Sequence, residues 1–291
     1  MLTIDPKEIP GPKMHSYLLG AVVPRPIAFA STIDGHGSVN LSPFSFFNCF
    51  SGNPPVLVFS PSRRGRDNTT KHTYENVKDV PEVVINMVTY DMVQQSSLAS
   101  CEFPKGVNEF IKAGFTAVPS QRVRPPRVGE SPITFECSVK QVIELGANAG
   151  AGNLVICEVV LMHIREEVLD DHGRISPHKL NAVARMGGDY YLGMNVSNIF
   201  SVPKPNEKLG IGFDQLPLSV RNSKVFSGND LGKLANIERL PGSGEIKAFK
   251  KEAIVREAIE KGETATHTLA LDYLNTGRIE DAWKILLANN G

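Results

Sequence analysis

The chain has 291 residues, 41% of them hydrophobic, and its 31 Lys and Arg are balanced by 31 Asp and Glu for a net charge of zero. That length and apolar content can fill a core in one large domain, or in one domain with an extension, while the even charge excludes the basic excess of a nucleic-acid binder and any electrostatic pull toward an anionic membrane. No stretch reaches the roughly 18 consecutive apolar residues of a membrane span, and Met1-Leu2-Thr3-Ile4-Asp5 lacks the basic-then-apolar order of a secretion leader, so a cytoplasmic protein is expected.

Residues 1–24 read as a surface segment with a short helical turn over 15–19. A strand is predicted over 27–33, its turn over 34–37 and its partner over 38–41, because two β-rich runs joined by a turn with two glycines signal a hairpin. After the aromatic run 44–50, a strand over 56–60 starts at Pro54-Pro55, where a sheet tolerates proline. The loop that follows carries Arg63, Arg64 and Arg66 and closes with Lys71-His72-Thr73. Such a cluster is either a solvated loop or a phosphate cradle of charge and hydroxyl, and its position directly after a strand ending in Ser60 favours the cradle.

Thr69 or Thr70 is read as the cap of a short helix carrying Tyr74 and Val77, which Pro81 ends. A strand follows over 83–88, then a helix over 92–99 capped by Asp91, and a helical piece over 108–113. Residues 122–127 form an extended connection. Two long β-rich runs, 133–145 and 154–166, flank a loop of Gly, Ala and Asn over 146–152. Long strands with few helices favour an antiparallel barrel over a doubly wound parallel sheet.

The composition then changes. Residues 203–244, rich in Pro, Gly, Asn and Ser, read as a surface wrap or linker. A helical pattern starts at Glu245, and Ile279, Ala282, Trp283, Leu286 and Leu287 fall on one helix face, preceded by a helix over 269–275 that Gly277 ends. Ala270, Tyr273, Gly277 and Ala282 faintly resemble half of a tetratricopeptide unit, without a second copy at the period of roughly 34 residues. The expectation is a helical appendage whose stripe packs on the barrel or on a partner subunit, because a helical pair this short does not stabilise itself in water. The cysteines, Cys49, Cys101, Cys137 and Cys157, sit beside apolar residues without paired spacing and read as buried thiols in a reducing compartment.

Several of these segments carry a resemblance. The order Arg25-Pro26-Ile27-Ala28, Ser31-Thr32, Asn40-Leu41-Ser42-Pro43-Phe44-Ser45-Phe46-Phe47-Asn48, Pro54-Pro55, Ser60 and Lys71-His72-Thr73 is similar to the flavin reductase-like, FMN-binding split-barrel family that includes the flavoredoxins. Glu130 to Cys137, Gly152 to Ile156 and Arg185-Met186-Gly187-Gly188-Asp189-Tyr190-Tyr191 extend the match over residues 18–200. The resemblance implies a mainly β fold, a six-stranded Greek-key split barrel with short helices, in a homodimer that holds FMN between subunits. With the change of composition beyond it, the chain is expected to divide into a barrel over 1–202, a wrap or linker over 203–244 and a helical extension over 245–291.

The resemblance also assigns residues. Ser31, Thr32, Asn40, Ser42, Phe44 and Ser45 would meet the flavin edge and ribityl chain, and Ser60, Arg63, Lys71 and Thr73 the phosphate. Taken singly, Ser31 and Thr32 are equally strand residues, and Asn40 a turn residue. Where the family often has Asp between the Lys and the Thr, this chain has His72. Gly187-Gly188 reads as a bend before a strand more than as a close approach to a ring. His163 reads as a satisfied core histidine, and His172 and His178 as solvated.

The sequence has no zinc-type His-Glu-x-x-His cluster, hydrolase elbow, Walker loop or Gly-x-Gly-x-x-Gly turn. A nicotinamide cofactor would therefore act as a passing substrate over the flavin. The resulting expectation is an NAD(P)H-dependent flavin reductase-like oxidoreductase with an unidentified acceptor. The alternative is a non-catalytic FMN electron carrier reduced by a protein partner.

Overall fold

Residues 28–33 carry no charge and no long polar side chain, and they form strand β1 (Ala28–Ile33), buried along its whole length. The computed structural model describes residues 1–203, 205 and 209–289, and the chain divides into two units, Met1–Phe200 and Ser201–Gly291. Successive side chains of a strand face opposite ways, and β1 uses both faces: Ala28 and Ala30 enter one core cluster, Ile27 and Phe29 another. A strand covered on both sides reads as an unbroken run in place of an alternation.

The first unit opens with helix α1 (Gly11–Ala21), longer than the turn expected over 15–19; proline at its start fits the first helical turn, and none of its residues is buried. Strand β1 pairs with β2 (Val39–Phe44), Ala28 opposite Phe44 and Ile33 opposite Val39. The aromatic run supplies a further strand, β3 (Phe47–Gly52), paired with β4 (Pro55–Phe59). Helix α2 (His72–Asp79), β5 (Glu82–Met87), α3 (Val93–Leu98), α4 (Glu109–Ala113) and the short pair β6 (Ala117–Val118) and β7 (Arg127–Val128) lead to the long hairpin β8 (Ile133–Glu144) and β9 (Asn153–Ile164). Helix α5 (Pro177–Leu180) and the hairpin β10 (Val183–Arg185) and β11 (Tyr191–Gly193) complete the unit.

The main sheet is antiparallel in the order β2-β1-β5-β8-β9-β4-β3. It has seven strands where six were expected, the seventh being β3. The sheet curls until Phe44 near one edge and Phe59 near the other bring their rings to 5.5 Å, but β2 and β3 remain edges, which makes the barrel split. Its interior holds Ala28, Phe59, Ile85, Cys137 and Val155, with Val77 contributed by α2. Outside β1 and β2, Phe29, Leu41, Met92 and Phe110 form a second cluster, with Phe29 and Phe115 edge to face at 5.2 Å.

Local signals were legible with small shifts. Asn108 caps α4 by accepting from the Phe110 N–H, and Gly114, with φ 72°, ends it. Neither Thr69 nor Thr70 caps α2: the helix starts after Lys71, and the Thr70 hydroxyl donates to Glu75 at 2.8 Å. Asp91 lies within a single 3₁₀ turn, Tyr90–Met92, ahead of α3. Of the four thiols expected inside, Cys137 and Cys157 are buried, but Cys49 and Cys101 are exposed. Cys49 lies on an edge strand and Cys101 in the turn after α3, neither of which is covered. His163 is satisfied as expected, its Nε2 lying 2.7 Å from Glu136 Oε1.

The second unit corrects the reading of residues 203–244 as a wrap or linker. Helices α6 (Leu218–Arg221) and α7 (Gly228–Ala235) join α8 (Ser243–Phe249), α9 (Ala253–Glu260), α10 (Glu263–Asn275) and α11 (Ile279–Ala288). Leu216, Val220, Phe226, Leu231 and Leu234 share one core with Leu274, Trp283 and Leu286. The polar residues that suggested a linker are in part caps: Ser227 and Asp230 form a reciprocal capping box on α7. Trp283 is wholly buried and its Nε1 donates to the Leu234 carbonyl at 2.9 Å. The apolar stripe of α11 is thus covered within its own unit, by residues whose irregular spacing hid them. Helix α10 begins at Glu263, six residues ahead of the expected 269, with the Thr266 hydroxyl donating to the Gly262 and Ala258 carbonyls. Residues 204 and 206–208 of the expected linker, and 290–291 of the extension, lie outside the described residues.

Candidate functional site

Strand β2 is rich in small polar residues, and it passes between two hollows. The first is lined by Asn40, Ser42, Arg64, Lys71, Thr73 and Glu102 among others. Asn40 Nδ2 donates to Thr73 Oγ1 at 2.9 Å, fixing the start of α2 against β2. Arg64 is pinned by hydrogen bonds to Thr69 Oγ1, at 3.0 Å, and to the Thr70 carbonyl. Three cations gather on a single carboxylate: Glu102 lies 3.3 Å from Arg64 Nε, 2.7 Å from Arg66 Nη2 and 3.8 Å from Lys71 Nζ. Burial, then the Arg64 charge, lowers the pKa of Lys71, and the same two causes lower that of His72. Burial is the larger cause of both shifts, and the Arg64 charge, the second, is the part that a bound anion would relieve. On the wall, the buried Glu109 accepts from the Leu41 N–H at 3.0 Å, and burial pushes its carboxyl pKa up.

The second hollow is a cavity of about 700 Å³. Pro43 of β2 and Ser45 just after it line the cavity, as do Gln94 and Ser97 of α3, and Arg185 and Tyr191 of the β10–β11 hairpin. Ser100 lines both hollows, so they adjoin. The buried Arg25 ties this region together, donating to the Leu19 and Val22 carbonyls, both at 2.6 Å, to the Met186 carbonyl at 3.1 Å and to Ser45 Oγ at 3.5 Å. Gly187 serves that junction. A Cβ there would meet Gly20 Cα at 3.0 Å, so this glycine permits a close approach of backbone to α1.

The structure brings Asn40, Ser42, Lys71 and Thr73 together at the cationic hollow and Ser45 to the cavity beside it. Five other residues expected at the site line neither hollow. Ser31 is buried in β1 with no partner for its hydroxyl, and Thr32 Oγ1 accepts from Asn76 at 3.1 Å. Phe44 fills the barrel interior. Ser60 Oγ accepts from the Asn153 N–H at 3.0 Å, which makes it a fastener between strands. Arg63 turns its guanidinium to Asn68, and its backbone bonds Ala151 and Gly150 of the facing loop. Of the two neighbouring arginines, it is Arg64 and not Arg63 that lines the cationic hollow. Sequence reasoning also passed over Ser100, Glu102 and Tyr90, whose only signal is proximity in the fold.

The first unit is thus a split antiparallel barrel with a cationic hollow beside a larger cavity. The flavin reductase like domain matches residues 19–179, and the chain belongs to that family. It is 38% identical over 186 residues to an uncharacterized protein of Aquifex aeolicus, covering 64% of this chain and 92% of that one. An uncharacterized protein of Halalkalibacterium halodurans is 34% identical over 206 residues, covering 70% and 97%. Among solved structures, nitrilotriacetate monooxygenase component B from Bacillus cereus superposes with a TM-score of 0.65 at 28% identity, covering 69% of this chain and 98% of that one. The 2-nitrobenzoate 2-nitroreductase NbaA of Pseudomonas fluorescens gives 0.61 at 26% identity, covering 69% and 96%. Each of these relatives is matched almost end to end by about two thirds of this chain.

Proposed function

We propose that the chain binds FMN across the two adjoining hollows and acts as an NAD(P)H-dependent, flavin reductase-like oxidoreductase. The observation that carries this reading is the junction at Ser100 of a cationic hollow with a cavity of about 700 Å³, within the size range of small-molecule sites. The donor set suits the ligand. Arg64 and Lys71 offer charge and Thr73 a hydroxyl to the phosphate, in place of the Glu102 carboxylate. Ser45, Ser97 and Ser100 offer hydroxyls to the ring and ribityl chain. Bound FMN would supply the redox chemistry itself, and the protein's part is to hold, orient and shield it.

NAD(P)H enters this reading as a passing substrate, and the protein works in the cytoplasm as a homodimer with FMN between subunits. Val160, Met162 and Ile164, at every second position of β9, are all exposed, which supports a second copy covering that face. No described helix is long and apolar enough to cross a membrane.

Anaerobic mixing of the FMN-loaded protein with NADH or NADPH tests the activity. Rapid loss of the flavin's visible absorbance is expected. A protein that takes up no FMN overturns the cofactor, and a loaded protein that bleaches only through a reductase partner is an electron carrier.

A further inference from the structure

The β10–β11 hairpin turns one face to the large cavity. Arg185 stands opposite Tyr191 and Val183 opposite Gly193 in its register, cross-strand partners share a face, and all four line the cavity. The Arg185 guanidinium lies 4.6 Å from the centre of the Tyr191 ring. The Tyr90 ring covers Gly193, whose Cβ, if it had one, would be 3.5 Å from Tyr90 Cδ2. One wall of the cavity therefore presents a cation stacked on one tyrosine, with a second tyrosine against Gly193 of the same hairpin.

Among the described residues no carboxylate lies within 4.0 Å of Arg185, although Asp189 lines the same cavity. Its neighbour Arg25 is different, with its donors committed to three carbonyls and Ser45. A guanidinium stacked on a ring keeps its edge N–H groups available for a bidentate, planar anion. The tyrosines beside it favour a flat apolar body joined to that anion.

We propose that Arg185, with Tyr191 and Tyr90, recognises the second substrate of this site as an aromatic carboxylate, its carboxylate on the guanidinium and its ring against the tyrosines. This assignment rests on the flavin reading of the adjoining hollow. It makes Arg185 a specificity-determining residue, separate from the phosphate-binding cations Arg64 and Lys71.

The test is a titration of the FMN-loaded protein with benzoate, its neutral isostere benzamide, and ADP, followed by calorimetry and by perturbation of the flavin spectrum. Benzoate is expected to bind and to shift the spectrum, with benzamide at least about tenfold weaker. Arg185→Gln should weaken benzoate roughly ten- to hundredfold, well beyond any change in FMN affinity, and Arg185→Lys should recover part of the loss. Equal binding of benzoate and benzamide overturns the proposal, as does benzoate binding that Arg185→Gln leaves intact. Loss of ADP alone in that variant would assign Arg185 to a nucleotide and overturn it too, and a parallel loss of FMN would make Arg185 a flavin residue. Failure of the wild-type protein to take up FMN would refute the flavin reading separately. Calorimetry of benzoate on the flavin-free protein would then still decide whether Arg185 binds carboxylates.

Discussion

Replacing Lys71 by alanine separates a phosphate site from a merely basic loop. Its ammonium is 3.8 Å from Glu102, and its side chain keeps 31% of its exposure. A charge-assisted contact from such a partly desolvated group contributes about 1.5–3 kcal/mol, so FMN should weaken roughly ten- to hundredfold. Riboflavin, which lacks the phosphate, should bind as before. Arg64→Ala should behave like Lys71→Ala, since Arg64 faces the same hollow, whereas Arg63→Ala should leave the FMN-to-riboflavin ratio unchanged because Arg63 is turned to Asn68. Glu102→Gln should act in the opposite sense. The Glu102 side chain is 40% exposed, so each of its ion pairs is worth at most about 1 kcal/mol, and its removal should tighten FMN only a few-fold. Fluorescence quenching of the two flavins on titration measures every ratio. Equal losses for FMN and riboflavin in Lys71→Ala, or a larger effect at Arg63 than at Arg64, would refute the assignment.

Further outcomes follow from buried groups. Burial raises the Glu136 carboxyl pKa, but hydrogen bonds from the Gln121 N–H, His163 and the Arg122 N–H outweigh it and hold the carboxyl below its ordinary value. Glu136→Ala should therefore cost about 3–5 kcal/mol in urea unfolding at neutral pH. A depressed carboxylate stabilises above its unfolded pKa, so the gap between variant and wild type should shrink as pH falls below about 4.5; a gap constant with pH would contradict this. For the buried Glu109 the sign is reversed: its raised pKa lowers stability as pH rises past the unfolded value, so Glu109→Gln should flatten that slope. Trp283, the single tryptophan, should emit at short wavelength in the native protein and shift red only on unfolding; emission like free tryptophan would mean the second unit's core is not formed. A thiol reagent should label Cys49 and Cys101 in the native protein but reach Cys137, whose pKa burial pushes up to about 12, and Cys157 only after denaturation.

Six of the seven strands of the main sheet were legible because their information is local: side-chain period, glycine turns and proline at strand starts are properties of neighbouring residues; β3, inside the aromatic run, was not. The helical piece over 108–113 was legible for the same reason, and the structure adds its cap at Asn108 and its stop at Gly114. The presence of a cationic loop was legible too, since three arginines and a lysine within nine residues announce their charge wherever they lie. Which arginine faces the hollow was not legible, because Arg63 and Arg64 differ only in what the fold brings near them: Asn68 and the 146–152 loop for one, Glu102 for the other. Ser31, Thr32, Ser60 and Phe44 were candidate ligands only through the family resemblance, and in the fold they point inward or are tied to Asn76 and Asn153. The second unit shows the same division. The α11 stripe could be read from its period, but its cover, Leu216 to Leu234, is scattered among turn residues and becomes a core only when α7 and α11 pack together. Arg185 reaches the cavity beside β2 from more than 130 residues away in sequence, through backbone hydrogen bonds with Arg25. Proximity of that kind is a product of tertiary packing, and no local pattern of residue types encodes it.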